Sequence, residues 1–338
     1  MADDMGIERQ PLSSPLSVGA GAGPAATSAV TERWQLPALR ASAYATPEDL
    51  VARRSAAGSA PPVAPDPSVS VRPADLGDVA CVVCTPAHPG RTALYFHGGG
   101  YRLGSAERST PFATRLAAAM GATVVVVDYR LAPEHPFPAA LHDAVRAYDY
   151  LLHQRPEAPV VIGDSAGGGL AAALVVAAKT AGMPVPRALV AMSPWLDLTC
   201  TADTFTSRAG SDRLFSRETA EQAAQMYLQG HQATDHLASP LFADLDGWPR
   251  SLVFASTDEV LLQDSTTFTA LLARAAVPVT ARFEEAVPHA WPAVMPDLPE
   301  AAVAVRAIGD FAGGLGKPTQ ARSSPPVDPS PGSTRWCL

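Results

Sequence analysis

A serine stands between two glycines in Gly163-Asp164-Ser165-Ala166-Gly167, directly after the apolar run PVVI and before GGLAAALVVAAK. A strand that turns sharply into a helix lifts a serine hydroxyl above a sheet, and the turn is too tight for side chains on either side of the serine. A serine so placed is a nucleophile for acyl transfer. The N–H that follows it, on Ala166, is aimed to hold the oxyanion of a tetrahedral intermediate. A second glycine-rich stretch, His97-Gly98-Gly99-Gly100-Tyr101, ends the run TALYF. Three glycines in succession let backbone N–H groups approach a ligand, and in acyl-transfer enzymes an N–H from such a loop completes the oxyanion hole. No nucleophile neighbours His97 in sequence, so bracing this loop by hydrogen bonding is its expected part.

Other residues with chemical potential read as structural. Cys81 and Cys84 lie in DVACVVCTP, a β-branched run. Side chains alternate along a strand, so two cysteines three apart point to opposite faces and make a poor pair for one metal. No second C-x-x-C and no H-x-x-x-H completes a zinc set, and Cys200 and Cys337 are isolated. Neither a metal nor a cofactor is expected. His231 and His236 read as solvated surface.

The elements that must position Ser165 alternate. Short β-rich runs occur at 78–84, 92–97, 122–129, 159–165, 187–193, 251–256 and 279–285, and Ala/Leu-rich helical stretches at 109–120, 138–153, 167–181, 262–276 and 299–312. Near-continuous apolar strands separated by helices predict an α/β fold with a mostly parallel sheet covered on both faces. Residues 31–57 and 198–237 break this rhythm, and insertions beside strand ends commonly form a lid over a site. Residues 1–30 and the stretch from about 316 to 338 are rich in Gly, Ala, Ser and Pro without a period, and are expected to be disordered tails. The domain between them spans 31–315.

Composition narrows the class. With 47% hydrophobic and 17% charged residues, the chain can bury a core. Its 25 Lys and Arg against 33 Asp and Glu leave a net charge of −8, and no basic run suggests nucleic-acid binding. The longest strongly apolar stretch, Leu170 to Ala178, is too short to cross a bilayer, and the acidic MADDMGIERQ lacks the order of a signal peptide. A cytoplasmic protein without membrane insertion is expected.

With DYRLAPEHPFPAALHDA (128–144) and SPWLDLT (193–199), the two glycine motifs resemble the hormone-sensitive-lipase-like family of α/β-hydrolases, the bacterial family IV esterases, in the GDSAG form. The resemblance runs from about residue 70 to 312. It implies a mostly parallel central sheet of about eight strands, helices on both faces, and a helical cap built from 31–57 and 198–237. In this fold the triad order is serine, acid, histidine. Asp258, after the run SLVFAS, fits the family's D-x-x-L, and His289 fits its H-x-[FW]. Asp264 is the fallback acid, but it lies further into the helix and would point away. By family analogy the oxyanion sits among the N–H groups of Gly99, Gly100 and Ala166. Arg130 and Asp143 are expected to fix their loop by ion pairing or capping, and Trp195 and Tyr101 to wall the pocket or pack the core.

The resemblance implies a serine carboxylesterase acting on small-molecule esters of short to medium chain, a deacetylase among the options, with homodimers known among similar enzymes. The same site also serves elimination in a dehydratase or acyl transfer to an alcohol. Non-catalytic hormone receptors resembling the family have lost a triad residue, whereas all three positions are filled here.

Overall fold

The computed structural model describes residues 24–59, 63–155 and 157–316. The segments expected to be tails, 1–30 and 316–338, lie for the most part outside these residues; from Pro24 onward the first of them is helical. The strands are β1 (Val69–Leu76), β2 (Val79–Pro86), β3 (Arg91–Phe96), β4 (Ala122–Val127), β5 (Val160–Asp164), β6 (Leu189–Met192), β7 (Ser251–Ser256) and β8 (Val279–Glu284). They form one sheet in the order β1-β2-β4-β3-β5-β6-β7-β8. β1 pairs antiparallel with β2, and β2 antiparallel with β4; every other neighbouring pair is parallel.

The helices are α1 (Pro24–Arg33), α2 (Glu48–Ser59), α3 (Ala106–Met120), α4 (Ala139–Gln154), α5 (Ala166–Thr180), α6 (Thr204–Ser207), α7 (Arg217–Leu228), α8 (Leu262–Arg274), α9 (Trp291–Val294) and α10 (Pro299–Gly313). They cover the sheet on both faces, which is why its central strands are mostly apolar and buried: β4 is ATVVVV and wholly buried. The pleat divides these side chains between two cores. Leu94, Val125, Val161 and Leu170 belong to one, and Tyr95, Val124, Ile162 and Ile308 to the other. Cys81 lies in the first and Cys84 in the second, on opposite faces as their spacing requires. α5 lies in the first core, buried from Ala166 to Ala178, so it is apolar all round rather than amphipathic. α3 is delimited by its caps: Ser105 accepts from the Arg108 N–H at 3.3 Å, and Gly121 closes it at φ 55°.

β1 was not among the expected strands. It is an edge strand with a mostly exposed or half-buried pattern and an internal proline, so it lacks the apolar run that marks its neighbours. The two insertions meet each other. Arg40 donates to the carbonyls of Leu228 and Gln229 at 2.9 and 2.6 Å, and the Ala43 N–H to Gln229 Oε1 at 2.6 Å. Arg54 on α2 pairs with Glu134 at 2.6 Å and donates to the carbonyls of Arg102 and Ala132. Arg130 and Asp143 form a bidentate pair, and Asp143 also accepts the Arg130 N–H, so the loop after β4 is both ion-paired and capped.

Candidate active site

Ser165 occupies the turn between β5 and α5 at φ 53°, ψ −122°, a conformation costly for a residue with a side chain. The surroundings hold it there: its N–H donates to the Met192 carbonyl at 2.9 Å, and its carbonyl accepts from Trp195 and Gly169. A Cβ on Gly163 would collide with the Gly167 carbonyl, and one on Gly167 with the Phe96 carbonyl. The two motif glycines therefore answer to close backbone approach, as the sequence suggests.

His289 lies between β8 and α9. Its Nε2 is 2.9 Å from Ser165 Oγ, and its Nδ1 is 2.7 Å from Glu259 Oε2. With a proton on Nδ1 donated to the carboxylate, Nε2 is free to accept from the serine hydroxyl. The loop carrying the imidazole is pinned twice: the Ala290 N–H donates to Ser193 Oγ at 2.9 Å, and Ser256 Oγ to the Val287 carbonyl at 2.6 Å. The Phe215 ring lies nearly parallel to the imidazole, with centroids 5.8 Å apart. Burial favours the neutral ring, but the Glu259 carboxylate outweighs it, with smaller help from Asp212 and Asp164, and the histidine is raised above its ordinary value.

The carboxylate against His289 belongs to Glu259, and the expectation of Asp258 in that place is corrected. Asp258 is half-buried and turns the other way, its Oδ2 accepting from the Ala286 N–H at 3.0 Å and its own N–H donating to Ser256 Oγ at 3.1 Å. Successive side chains in this turn diverge, so only one of the two acids can face the histidine. Glu259 runs straight into Val260 and Leu261, both fully buried, and its own side chain is fully enclosed. That adjacency to an apolar pair was the signal available in Asp258-Glu259-Val260-Leu261: the acid next to the core is the one carried inward. Asp264 points away from His289. Its Oδ2 accepts the N–H groups of Leu196 and Asp197 at 2.8 and 3.0 Å, and burial pushes its carboxyl up to about 8.

The glycine loop after β3 is tied to the serine turn through Asp164, whose Oδ1 accepts from Tyr95 Oη at 2.5 Å and from the Gly98 N–H at 3.0 Å. Gly99 adopts φ 121° and its carbonyl takes the Arg102 and Leu103 N–H groups, which curls the loop. No acceptor among the described residues takes the N–H of Gly99, Gly100 or Ala166. His97 braces the loop: Nδ1 lies 2.8 Å from the Gly98 carbonyl, and the ring stacks on Tyr129, whose hydroxyl donates to the His97 carbonyl. Tyr101 and Trp195 are buried in an aromatic cluster, Tyr101 stacked on Tyr227 at 3.9 Å and Trp195 edge-on to Phe215.

A buried serine, imidazole and carboxylate thus stand in one line of contacts on a strand–turn–helix elbow. A family model described as the alpha/beta hydrolase fold matches residues 93–293. The chain belongs to the α/β-hydrolase fold family. An acetyl-hydrolase of Streptomyces hygroscopicus is 41% identical over 226 residues, 66% of this chain and 75% of that protein. An esterase of Acinetobacter venetianus is 35% identical over 254 residues, 74% of this chain and 84% of that protein. Among solved structures, the esterase EstE5 soaked in ethyl alcohol superposes with a TM-score of 0.76 at 34% identity, covering 87% of this chain and 99% of its own. An esterase from the bacterial hormone-sensitive lipase family superposes with a TM-score of 0.74 at 34% identity, covering 86% and 97%. Within the α/β-hydrolases the kinship is with the bacterial hormone-sensitive-lipase-like esterases. Among the described residues no helix is long and apolar enough to cross a membrane.

Proposed function

We propose that this α/β-hydrolase is a serine carboxylic ester hydrolase acting on short- to medium-chain esters, acetyl esters among them, through Ser165, His289 and Glu259. The observation that carries the reading is the continuous chain of contacts from Glu259 Oε2 through His289 to Ser165 Oγ, at 2.7 and 2.9 Å. Ser165 Oγ attacks the ester carbonyl as His289 Nε2 takes its proton, while the Glu259 carboxylate holds the tautomer and stabilises the imidazolium. The N–H groups of Gly99, Gly100 and Ala166 receive the oxyanion; losing one such donor costs about 3 kcal/mol of barrier. His289 returns the proton to the leaving alkoxide, and water activated by the same ring then releases the acid from the acyl-enzyme.

The names of the two relatives, acetyl-hydrolase and esterase, support the ester substrate and the small acyl group. The preference for short chains is supported by the enclosure of the site. Ser165 and His289 are only 7% and 8% exposed, and Phe215 from the second insertion lies against the base. In this reading residues 198–237, held to 31–57 through the contacts of Arg40 and Ala43 with Leu228 and Gln229, act as a cap that excludes water and admits a short acyl chain.

The test is turnover of p-nitrophenyl acetate, butyrate, octanoate and palmitate by the wild type and by Ser165→Ala, with covalent labelling by a serine-directed phosphonate. The expected result is an optimum at the short esters, one label per chain on Ser165, and loss of nearly all activity in the variant. Activity of Ser165→Ala within tenfold of wild type removes the nucleophile assignment, and an optimum at palmitate removes the short-chain reading.

A further inference from the structure

The turn that carries Glu259 leaves the sheet at Ser256 and is secured from the second insertion. Val260, the next residue, is held on both sides of its backbone. Its N–H donates to Asp212 Oδ2 at 3.0 Å, and its carbonyl accepts from Thr204 Oγ1 at 2.6 Å. The Asp258 carbonyl accepts from Ser211 Oγ at 2.8 Å, and Gln263 Oε1 accepts the Asp203 N–H at 2.9 Å. Every one of these partners comes from residues 203–212. The Asp212 carboxylate has a second set of contacts: Oδ1 accepts the N–H groups of Leu214 and Phe215 at 2.9 and 3.0 Å. Phe215 is the residue whose ring covers His289. One carboxylate therefore registers both the turn bearing the acid and the ring lying on the base.

We propose that Asp212 is a positioning residue of the active site, locking residues 203–216 of the cap onto the Glu259 turn so that Glu259 and His289 are aligned only while that part of the cap is seated. The proposal rests on the reading of Ser165, His289 and Glu259 as the triad. Hydrogen bonds from N–H groups to a carboxylate are about twice as strong as neutral ones. Val260 is fully buried, so its N–H has no water to turn to when Asp212 is lost. A shift of about 1 Å in a reacting group costs on the order of a hundredfold in rate. Seating the cap over a substrate and completing the base then become one event, and an open cap leaves the serine without an aligned base. The charged groups bearing on His289 are Glu259, Asp212 and Asp164, all of which favour the imidazolium. Neutralising Asp212 therefore lowers the proton affinity of the base as well as freeing its partner.

The experiment is a double-mutant cycle on kcat for p-nitrophenyl butyrate across pH: wild type, Asp212→Asn, Glu259→Gln and the double variant. Asparagine keeps the shape of Asp212 but turns an amide N–H₂ toward at least one backbone donor. Asp212→Asn is expected to lower kcat by about ten- to a hundredfold, with the acidic limb of kcat/KM displaced to lower pH. Added to Glu259→Gln, it is expected to change kcat by less than about twofold, because the group it positions is already gone. The same factor in both backgrounds would show a merely structural role and overturn the proposal. Thr204→Val, which removes the hydroxyl under the Val260 carbonyl, repeats the cycle should Asp212→Asn melt too low to assay; full additivity there overturns it equally. A Glu259→Gln variant within tenfold of wild type would instead remove the acid assignment, and the proposal with it.

Discussion

Exchanging Glu259 for glutamine asks the sharpest question of the site, because an adjacent acid offers its own control. The Glu259 carboxylate is fully enclosed and sits 2.7 Å from His289 Nδ1. While it is ionised, Nδ1 keeps the proton and Nε2 faces Ser165 Oγ as an acceptor at 2.9 Å. A glutamine that turns its N–H₂ toward Nδ1 selects the other tautomer, and Nε2–H then confronts the serine with no lone pair to take its proton. The same exchange removes the group that contributes most to holding the imidazole above its ordinary value. In the reference Ser-His-Asp triad the matching change lowers kcat by about 10⁴. At about 1.36 kcal/mol per decade that is roughly 5.5 kcal/mol of barrier. The enclosure of Glu259 leaves no water to compensate, so a loss of about 10³ to 10⁴ is expected here. Asp258→Asn keeps an oxygen for the Ala286 N–H and is expected to leave kcat within about threefold of wild type. Asp258→Ala gives up that bond and costs about 1 kcal/mol of stability, read as a lower Tm with kcat little changed. The assay is kcat on p-nitrophenyl butyrate, normalised to active sites by phosphonate titration. A hundredfold loss in Asp258→Asn beside a mild Glu259→Gln would refute the assignment of the orienting acid.

The pH profile follows from the same contacts. His289 must be neutral to act as base, and it is raised above its ordinary value of 6.5, so kcat/KM should fall on acidification with a midpoint above 6.5; a midpoint at or below that value contradicts the electrostatic reading. Asp264, pushed up to about 8, is mostly protonated at neutral pH, so Asp264→Asn should keep both kcat and Tm close to wild type. Asp264→Ala strands the Leu196 and Asp197 N–H groups and should cost about 2 kcal/mol or more in urea unfolding. Phe215→Ala uncovers the imidazole and should shift the preference among acetate, butyrate and octanoate esters toward the longer chain; an unchanged profile with a lowered Tm would make Phe215 a packing residue only.

What the sequence revealed divides along physical lines. The central strands and helices were legible because burial on both faces demands apolar runs, as in VVVV of β4 and ALVVAA within α5. The serine turn was legible because its glycines are imposed by backbone contacts four or five residues away in sequence or at the end of the neighbouring strand. β1 was hidden because an edge strand with a solvated face carries no such run. The choice between Asp258 and Glu259 was hidden for a different reason. Both sit in one turn of suitable reach, and the direction of each side chain is decided by partners far away in the chain: Ala286 for Asp258, and His289 for Glu259. Asp212 was illegible for the same reason, since its part depends on a backbone N–H 48 residues downstream.

The strand order explains why the groups proposed for catalysis need a seat that itself does no chemistry. Ser165 follows β5, Glu259 follows β7 and His289 follows β8, while β6 lies between the first two. Serine and acid are thus two strands apart at the carboxyl end of the sheet, where crevices for ligands form in such folds. The end of β6 fills the gap. The Met192 carbonyl takes the Ser165 N–H, the Ser193 N–H donates to the Phe254 carbonyl of β7, and Ser193 Oγ takes the Ala290 N–H beside the histidine. Ser193 is fully buried at φ 47°, a second strained residue next to the serine turn. Such strain persists only where surrounding contacts over-determine it. Here those contacts run to β5, β7 and the histidine loop at once. The end of β6 is therefore bonded both to the residue that carries the serine hydroxyl and, through Ser193, to the residue that follows the histidine, so serine turn and histidine loop share one support.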